Sequence, residues 1–465
     1  MARAERREPA ELAVNGGEAA AGELESPSEP KVGAEEFLEL AELWGFSADA
    51  IEGIREAVRD EDLGSGPHLT RYYNPKPSKV VAFEEEAARF LGAEHVLAVH
   101  SGTSALETAY VAAGIGPGCE VIVPGYTFFA TAAAVVSAKA IPVIAEIDES
   151  LTIDPRDVAR KISRNTRAIV PVHMIGTVCD MGPIMELAER HDLMVIEDVA
   201  QACGAEYQGK RCGTIGDMGC FSVSTYKFVG AGEAGLVVTD NEWLHTRAQN
   251  HHDTGACWRP DRYAKERRPG ELFCGTNYRL SELEGAVNLW QMRKAPARLA
   301  RCREVYRRVV GQLRPRKDIV PQQVRDLEGH VGSALAFFAP DAEHAEKLAE
   351  AMRAEGLSCG VFTRGGARDW HIYRYWEHIL EQKSATREGC PFTCPYYAGP
   401  LPAYAEDMCA RTLDLLSRGV RVSLGEWWTE EDCRKVAEAI NKVLGAFHEE
   451  VEGTGWHAVK AVDSG

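Results

Sequence analysis

Between residues 96 and 239 the chain repeats one pattern: a short apolar run, a polar motif, then a helical stretch. The runs fall at 96–99, 120–123, 142–145, 168–172, 193–196 and 236–239. Helical stretches follow, reaching to about 113, to about 138 and over 183–191. Runs so short and so apolar suit neither face of a sheet to water. Their alternation with helices therefore predicts an α/β fold, with a mostly parallel sheet covered by helices on both faces. In such sheets ligands gather at the carboxyl ends of the strands, where the polar motifs of this chain lie.

The flanks read differently. Residues 1–34 are rich in Glu, Ala, Gly, Ser and Pro and contain no aromatic, the composition of a disordered tail. From residue 35, Phe37, Leu38, Leu40, Leu43 and Trp44 fall on one helical face, and Ile51, Ile54 and Val58 repeat the pattern. Another helix is expected over 79–91. A long helical stretch over 282–313, bending near Pro296, connects to strands near 333–339 and 358–362 and helices near 342–355 and 430–447. These boundaries predict a large domain over 35–295, a smaller α+β domain over 296–448 and a tail over 449–465.

Charge and cysteine usage narrow the function. Seventy acidic against 52 basic residues give a net charge of −18, the opposite of a nucleic-acid binder's footprint. A local basic pocket for an anionic substrate remains compatible with it. The thirteen cysteines are scattered, and Cys390 and Cys394 form a C-x3-C pair without a second pair, so no metal site is expected. No apolar run reaches the roughly 18 residues of a membrane helix. The N-terminal Met-Ala-Arg-Ala-Glu-Arg-Arg-Glu-Pro has no apolar leader core. A cytoplasmic protein with reduced thiols is the expectation.

Lys227 stands between a hydroxyl-rich run, 220–226, and the Gly-rich turn 230–235 that leads into the run at 236–239. A lysine so held, partly desolvated, is what Schiff-base chemistry requires, although most lysines are simply solvated. The motif His100-Ser-Gly-Thr-Ser-Ala105 opens a helix, whose free N–H groups and Thr103 and Ser104 hydroxyls suit a phosphate or serve as an N-cap. Asp198 closes a buried run. Tyr126 and Phe128 follow another and are either core or a ligand platform. Taken together, a phosphate cup, an aromatic face, an acid and a lysine are the requirements of pyridoxal 5′-phosphate.

The segments Ser101-Gly-Thr-Ser-Ala-Leu106, Pro124-Gly-Tyr-Thr-Phe128, Glu197-Asp-Val-Ala-Gln201, Phe221-Ser222 through Lys227 to Gly235, and Gly275-Thr-Asn-Tyr-Arg-Leu-Ser-Glu-Leu283 occur in the order of the DegT/DnrJ/EryC1/StrS sugar aminotransferases. The chain resembles that family of fold-type I pyridoxal phosphate enzymes over about 36–448. The resemblance implies a three-layer sandwich like the large domain of aspartate aminotransferase, and a homodimer with shared active sites. It implies that Lys227 carries the cofactor and the proton. Asp198 would meet the pyridine nitrogen, Gln201 the ring edge and Phe128 the ring face. Gly102, Thr103, Ser104 and Ser222 would hold the phosphate, and Asn277 would reach the neighbouring subunit's cofactor. The reaction implied moves an amino group from glutamate or glutamine to a keto or aldehyde sugar by a ping-pong route. Nucleotide-linked sugars and 3-deoxy-octulosonate-type acids are both acceptors of that kind.

Two departures stand out. The usual Gly-Glu-Gly-Gly after the lysine is Gly-Glu-Ala-Gly here, and the substrate-side stretches 251–259 and 364–378 vary within the family. The competing readings are a cyclitol or other non-sugar ketone as acceptor, a sugar dehydratase, and a non-catalytic regulator of the same fold. The lysine at 227 argues against the dehydratase reading, since dehydratases of this family carry histidine there.

Overall fold

The computed structural model describes residues 12–22, 30–59, 61, 67–71, 77–230, 232–258, 260–363, 366–451 and 456. Much of the two expected tails lies outside the described residues. The chain divides into two compact units, 1–69 with 73–76, and 70–72 with 77–465.

The first unit carries α1 (Ala34–Leu43) and α2 (Ala48–Val58). Ser47 caps α2 by accepting the Ala50 N–H at 3.3 Å, the usual use of a serine there. Both helices were legible from periodicity, but the buried face of α1 is Leu38 and Ala41, while Phe37, Leu43 and Trp44 are exposed.

The second unit begins with α3 (Lys79–Leu91) and is built on a seven-stranded sheet. Its strands are β1 (His95–Val99), β2 (Glu120–Pro124), β3 (Ile141–Ala145), β4 (Thr166–Ile169), β5 (Met194–Asp198), β8 (Met218–Ser222) and β9 (Gly235–Thr239); β6 (Glu206–Tyr207) and β7 (Lys210–Arg211) form a separate ribbon. The order is β1-β9-β8-β5-β4-β2-β3, with only β9 antiparallel to its neighbours. Alternate residues of one strand enter opposite cores. Leu97, Val99, Val121 and Val123 pack on one face; Val96, Ala98, Ile122 and Val143 pack on the other. Period-two burial on both faces is why these runs read as continuous apolar stretches.

Helices α4 (Gly102–Ala112), α5 (Ala130–Ser137) and α7 (Met181–His191) lie where the sequence placed them, and α6 (Pro155–Lys161) and α8 (Glu242–His252) are additions. The expected run at 168–172 is shortened. Pro171 has no N–H for a ladder, so β4 ends at Ile169 and Val172 makes only a single bridge to Asp198.

Helix α9 (Glu282–Val310) continues unbroken through Pro296. It leads to a four-stranded sheet in the order β10-β11-β13-β12, formed by β10 (Val320–Pro321), β11 (Ala334–Phe338), β12 (Cys359–Val361) and β13 (Gly419–Ser423). Helices α10 (Ala342–Ala354), α11 (Glu377–Leu380), α12 (Ala410–Arg418) and α13 (Glu430–Phe447) accompany it, and a third core gathers Leu335, Phe337, Val420, Val422 and Ile440. Strand β13 and helices α11 and α12 were not among the expected elements. Among the described residues, no helix is long and apolar enough to cross a membrane.

Candidate active site

The carboxyl ends of β5 and β8, the N-terminus of α4 and the loop before α5 converge on a cavity of about 360 Å³. Ser101, Gly102, Thr103, Phe128, Asp198, Gln201, Ser222 and Lys227 all line it. A second cavity of about 730 Å³ opens beside it and shares Ala200, Gln201, Tyr226, Lys227 and His371 with the first. Its far wall comes from the four-stranded sheet: Cys359, Gly360, Val361, Arg421 and Ser423.

Asp198 is buried at the end of β5. Its Oδ1 accepts the Ala200 N–H at 3.1 Å and its Oδ2 accepts the Thr131 hydroxyl at 2.8 Å. Burial raises its carboxyl above the ordinary range, against these two donors and the charge of Lys227. Lys227 is pushed the other way: burial lowers its ammonium below an ordinary lysine, and Asp198 partly restores it. Burial thus disfavours the charged form of both groups, so Lys227 gives up its proton more readily than a lysine in water.

The α4 N-terminus is shaped by a reciprocal cap. The Ser101 hydroxyl accepts the Ser104 N–H at 3.1 Å, and the Ser104 hydroxyl accepts the Ser101 N–H at 3.0 Å. That turns Ser104 inward, where it is buried, and leaves Ser101, Gly102 and Thr103 along the cavity. A Cβ on Gly102 would stand 2.7 Å from the Ser222 Cβ, so glycine keeps open the cradle between helix and strand. A Cβ on Gly235 would strike the Ser101 carbonyl, which requires glycine at the last position of the turn after Lys227. Ala234, the departure in that turn, is buried, and its carbonyl accepts the Val223 N–H at 2.8 Å. A helix N-terminus with a backbone-lined cradle is a fitting seat for a phosphate. An acid and a depressed lysine in the same cavity suit the ring and aldehyde of pyridoxal phosphate.

Gln201 is held by its Oε1, which accepts the Ile175 N–H at 3.3 Å. The Ser222 hydroxyl donates to Ser224 Oγ at 3.4 Å. Phe128 leaves a partly exposed ring in the cavity, 5.3 Å from the His371 ring. Asn277 lies apart from this cavity, paired in a bridge with Asp253. Asp253 is buried and fixes that loop through Arg262, Arg279 and Trp258.

Sequence reading missed two residues. Thr131 reaches Asp198 from 67 positions away, and no local pattern marks such a contact. His371 was visible only as part of a variable segment. Its Nδ1 stands 2.7 Å from Asp369 Oδ1, and the Thr127 N–H donates to its carbonyl at 2.9 Å, pinning it over Phe128. Behind Asp198, His173, Glu197 and Cys212 bring donors within 4.8 Å of one another. Protein contacts already use the first two: His173 Nε2 lies 3.0 Å from Glu197, His173 Nδ1 accepts the Cys179 N–H, and Glu197 accepts the N–H groups of Gly213, Ile215 and Gly216.

The family model of the DegT/DnrJ/EryC1/StrS aminotransferases matches residues 73–388. The chain belongs to this family. Within the DegT/DnrJ/EryC1/StrS family it is 39% identical over 233 residues to GDP-perosamine synthase of Caulobacter vibrioides, across 50% of this chain and 60% of that protein. It is 38% identical over 257 residues to L-glutamine:2-deoxy-scyllo-inosose aminotransferase of Micromonospora echinospora, across 54% of this chain and 60% of that protein. The matched chain thus spans about 60% of the length of these curated relatives. Among solved structures, 3-amino-5-hydroxybenzoic acid synthase is similar with a TM-score of 0.63 at 27% identity, covering 79% of this chain and 91% of that one. DesV of S. venezuelae is similar with a TM-score of 0.64 at 27% identity, covering 89% and 98%.

Proposed function

We propose that the protein is a pyridoxal phosphate-dependent aminotransferase that moves an amino group from glutamate or glutamine to the carbonyl of a keto sugar. The observation that carries this reading is Asp198 and Lys227 in one cavity, beside a glycine-lined helix N-terminus. Asp198 holds the ring nitrogen, Gln201 the ring edge, Phe128 the ring face, and Gly102, Thr103 and Ser222 the phosphate, while Ser104, expected there from the sequence, is buried and acts through its cap with Ser101. Asn277 serves the neighbouring subunit of a homodimer. The domains are taken as 35–295 and 296–448, and the substrate as bound in the larger cavity that the four-stranded sheet walls. The location is cytoplasmic, in keeping with thirteen free thiols.

When bound, pyridoxal phosphate supplies an electron-withdrawing ring that stabilises negative charge on the carbon bearing the transferred nitrogen. Asp198 keeps the ring nitrogen paired with a carboxylate. Lys227, whose proton affinity burial lowers, would take the proton from the donor's α-carbon and deliver it to the aldehyde-derived carbon of the cofactor. The second half of the cycle reverses the roles onto the acceptor, so kinetics are ping-pong.

A cyclitol is the second acceptor class, favoured by the name of the Micromonospora echinospora relative. Lys227 weighs against a dehydratase, and intact Asp198 and Lys227 weigh against a silent regulator.

The test is spectroscopic. Purified protein supplied with pyridoxal phosphate is expected to turn yellow and to bleach on addition of L-glutamate or L-glutamine. Lys227→Ala is expected to lose both the band and turnover, and Asp198→Asn to keep some cofactor but lose most of the rate. Full turnover in Lys227→Ala would overturn the proposal. Mass spectrometry of keto-sugar and keto-cyclitol panels then identifies the acceptor.

A further inference from the structure

Thr131 sits in the first turn of α5 and is 1% exposed. A threonine there has local uses for its hydroxyl, capping the helix or bonding a carbonyl one turn back. Here α5 has no side-chain cap, and the Thr131 hydroxyl instead crosses to Asp198 Oδ2 at 2.8 Å. Its Oγ1 is also 2.7 Å from the Thr127 Oγ1. An ionised carboxylate only accepts, and a hydroxyl has one proton, so Thr131 donates to Asp198 and Thr127 donates to Thr131 at 2.7 Å rather than to its more distant acceptor, the Phe128 carbonyl at 3.5 Å. Donation thus runs in one direction, from Thr127 through Thr131 to Asp198.

Both threonines line the cavity that holds Lys227, and both are 1% exposed. Phe128 lies between them in sequence and lines the same cavity. The Thr127 N–H is tied to the His371 carbonyl at 2.9 Å, and Tyr126 and Ile372 form a bridge beside it. One segment, 125–131, therefore joins the aromatic face, the acid and the substrate-side loop. Lys227, His173, Tyr110 and Cys220 also face Asp198. None of these is within hydrogen-bond reach of its carboxylate oxygens; besides the Ala200 N–H, Thr131 is the donor that fixes where Oδ2 points.

We propose that Thr131 is a positioning residue whose hydroxyl, supported by Thr127, fixes the Asp198 carboxylate toward the ring nitrogen of the cofactor. This rests on the aminotransferase reading above. Asp198 is the group that touches the cofactor; Thr131 acts through it.

The test uses Thr131→Val, which keeps the shape and removes the hydroxyl, with Thr131→Ser as rescue. Cofactor affinity is read by titrating pyridoxal phosphate, and the donor half-reaction by the bleaching rate with L-glutamate and L-glutamine. A lost hydrogen bond to a charged group predicts that Thr131→Val slows bleaching about 10- to 100-fold while Thr131→Ser stays within about threefold of wild type. In an Asp198→Asn background, adding Thr131→Val is expected to change the rate by less than about twofold, because the group it acts on is already gone. A wild-type rate in Thr131→Val, a Thr131→Ser as slow as the valine variant, or a full further loss in the Asp198→Asn background each overturns the proposal. Should circular dichroism show Thr131→Val unfolded, Thr127→Val takes its place. Its expected slowing is about three- to tenfold, absent in the Asp198→Asn background, and an unchanged rate overturns the proposal. A wild type that forms no yellow band overturns the functional reading and this inference with it; a normal wild type with any of the other failures overturns this inference alone.

Discussion

Asp198 and Lys227 illustrate how burial sets chemistry one residue at a time, and His252 shows the same force acting on stability. His252 is fully buried at the end of α8, and its Nδ1 donates to the Gln249 carbonyl at 2.6 Å. Burial pushes its imidazolium down to about 3, with Arg71 and Arg279 adding to the effect against Gln249 and Asp253. The folded protein therefore keeps His252 neutral, while the unfolded chain takes up a proton below the ordinary histidine pKa of about 6.5. Unfolding then binds a proton, so this contribution to stability is intact above pH ~6.5 and is lost progressively as pH falls toward 3. By pH 5 the loss from this one residue is about 2 kcal/mol. Urea denaturation at pH 7 and pH 5 checks it. Wild type should lose that amount more than His252→Gln between the two pH values, even though the variant starts less stable. Equal losses in the two proteins would show that His252 is not the linked group.

At the scale of elements, one tight constraint is where α9 crosses α3. A Cβ on Gly285 would lie 2.8 Å from the Val80 backbone nitrogen and 2.9 Å from its Cα. Backbone cannot rotate away as a side-chain tip can. Gly285→Ala therefore sets about 1 kcal/mol of helix-propensity gain against an overpacking cost of about 1–3 kcal/mol. The expected outcome is a net loss, seen as a lower urea midpoint; a stabilised variant would mean the two helices part freely. The same elements show what the sequence makes legible. Strands β1, β2, β3 and β5 came out within two residues because each is apolar on both sides and bounded by polar motifs. The run ending at Val172 did not, because Pro171 removes a ladder donor inside an apolar stretch. Strand β13 was not among the expected elements, although Gly419-Val-Arg-Val-Ser alternates an exposed Arg421 with buried Val420 and Val422. In the site, Lys227, Asp198, Phe128, Gln201 and Ser222 stood in local motifs and gather in one cavity. Thr131 stood in no motif, because its importance is a contact across 67 residues.

For the second unit as a whole, Arg298 on α9 is one link between its two larger sheets. Its Nη1 donates to the Phe228 carbonyl at 2.6 Å, next to Lys227, while Nε and Nη2 reach the Glu426 carboxylate at 3.0 and 2.7 Å. Glu426 follows β13, so one guanidinium ties the lysine loop of the seven-stranded sheet to the four-stranded sheet that walls the larger cavity. Arg301 adds a second contact to Glu426, and its guanidinium lies 3.7 Å over the Trp427 ring. Burial pushes the Glu426 carboxyl up, but Arg298 and Arg301 outweigh it and hold it below the usual carboxylate range. A carboxylate depressed on folding contributes stability above its unfolded pKa of about 4.3 and loses it as pH falls through the folded value. Glu426→Gln keeps the size and removes the charge, leaving Arg298 with a weaker partner. Because both side chains are mostly buried, at 26% and 14% exposure, the expected loss is about 1–3 kcal/mol. Urea unfolding at pH 7, followed by intrinsic fluorescence and by the yellow band together, checks both the energy and its reach. If Arg298 couples the sheets, both signals move to lower urea in step. If only fluorescence moves, Glu426 stabilises its own sheet and the lysine loop is held without it.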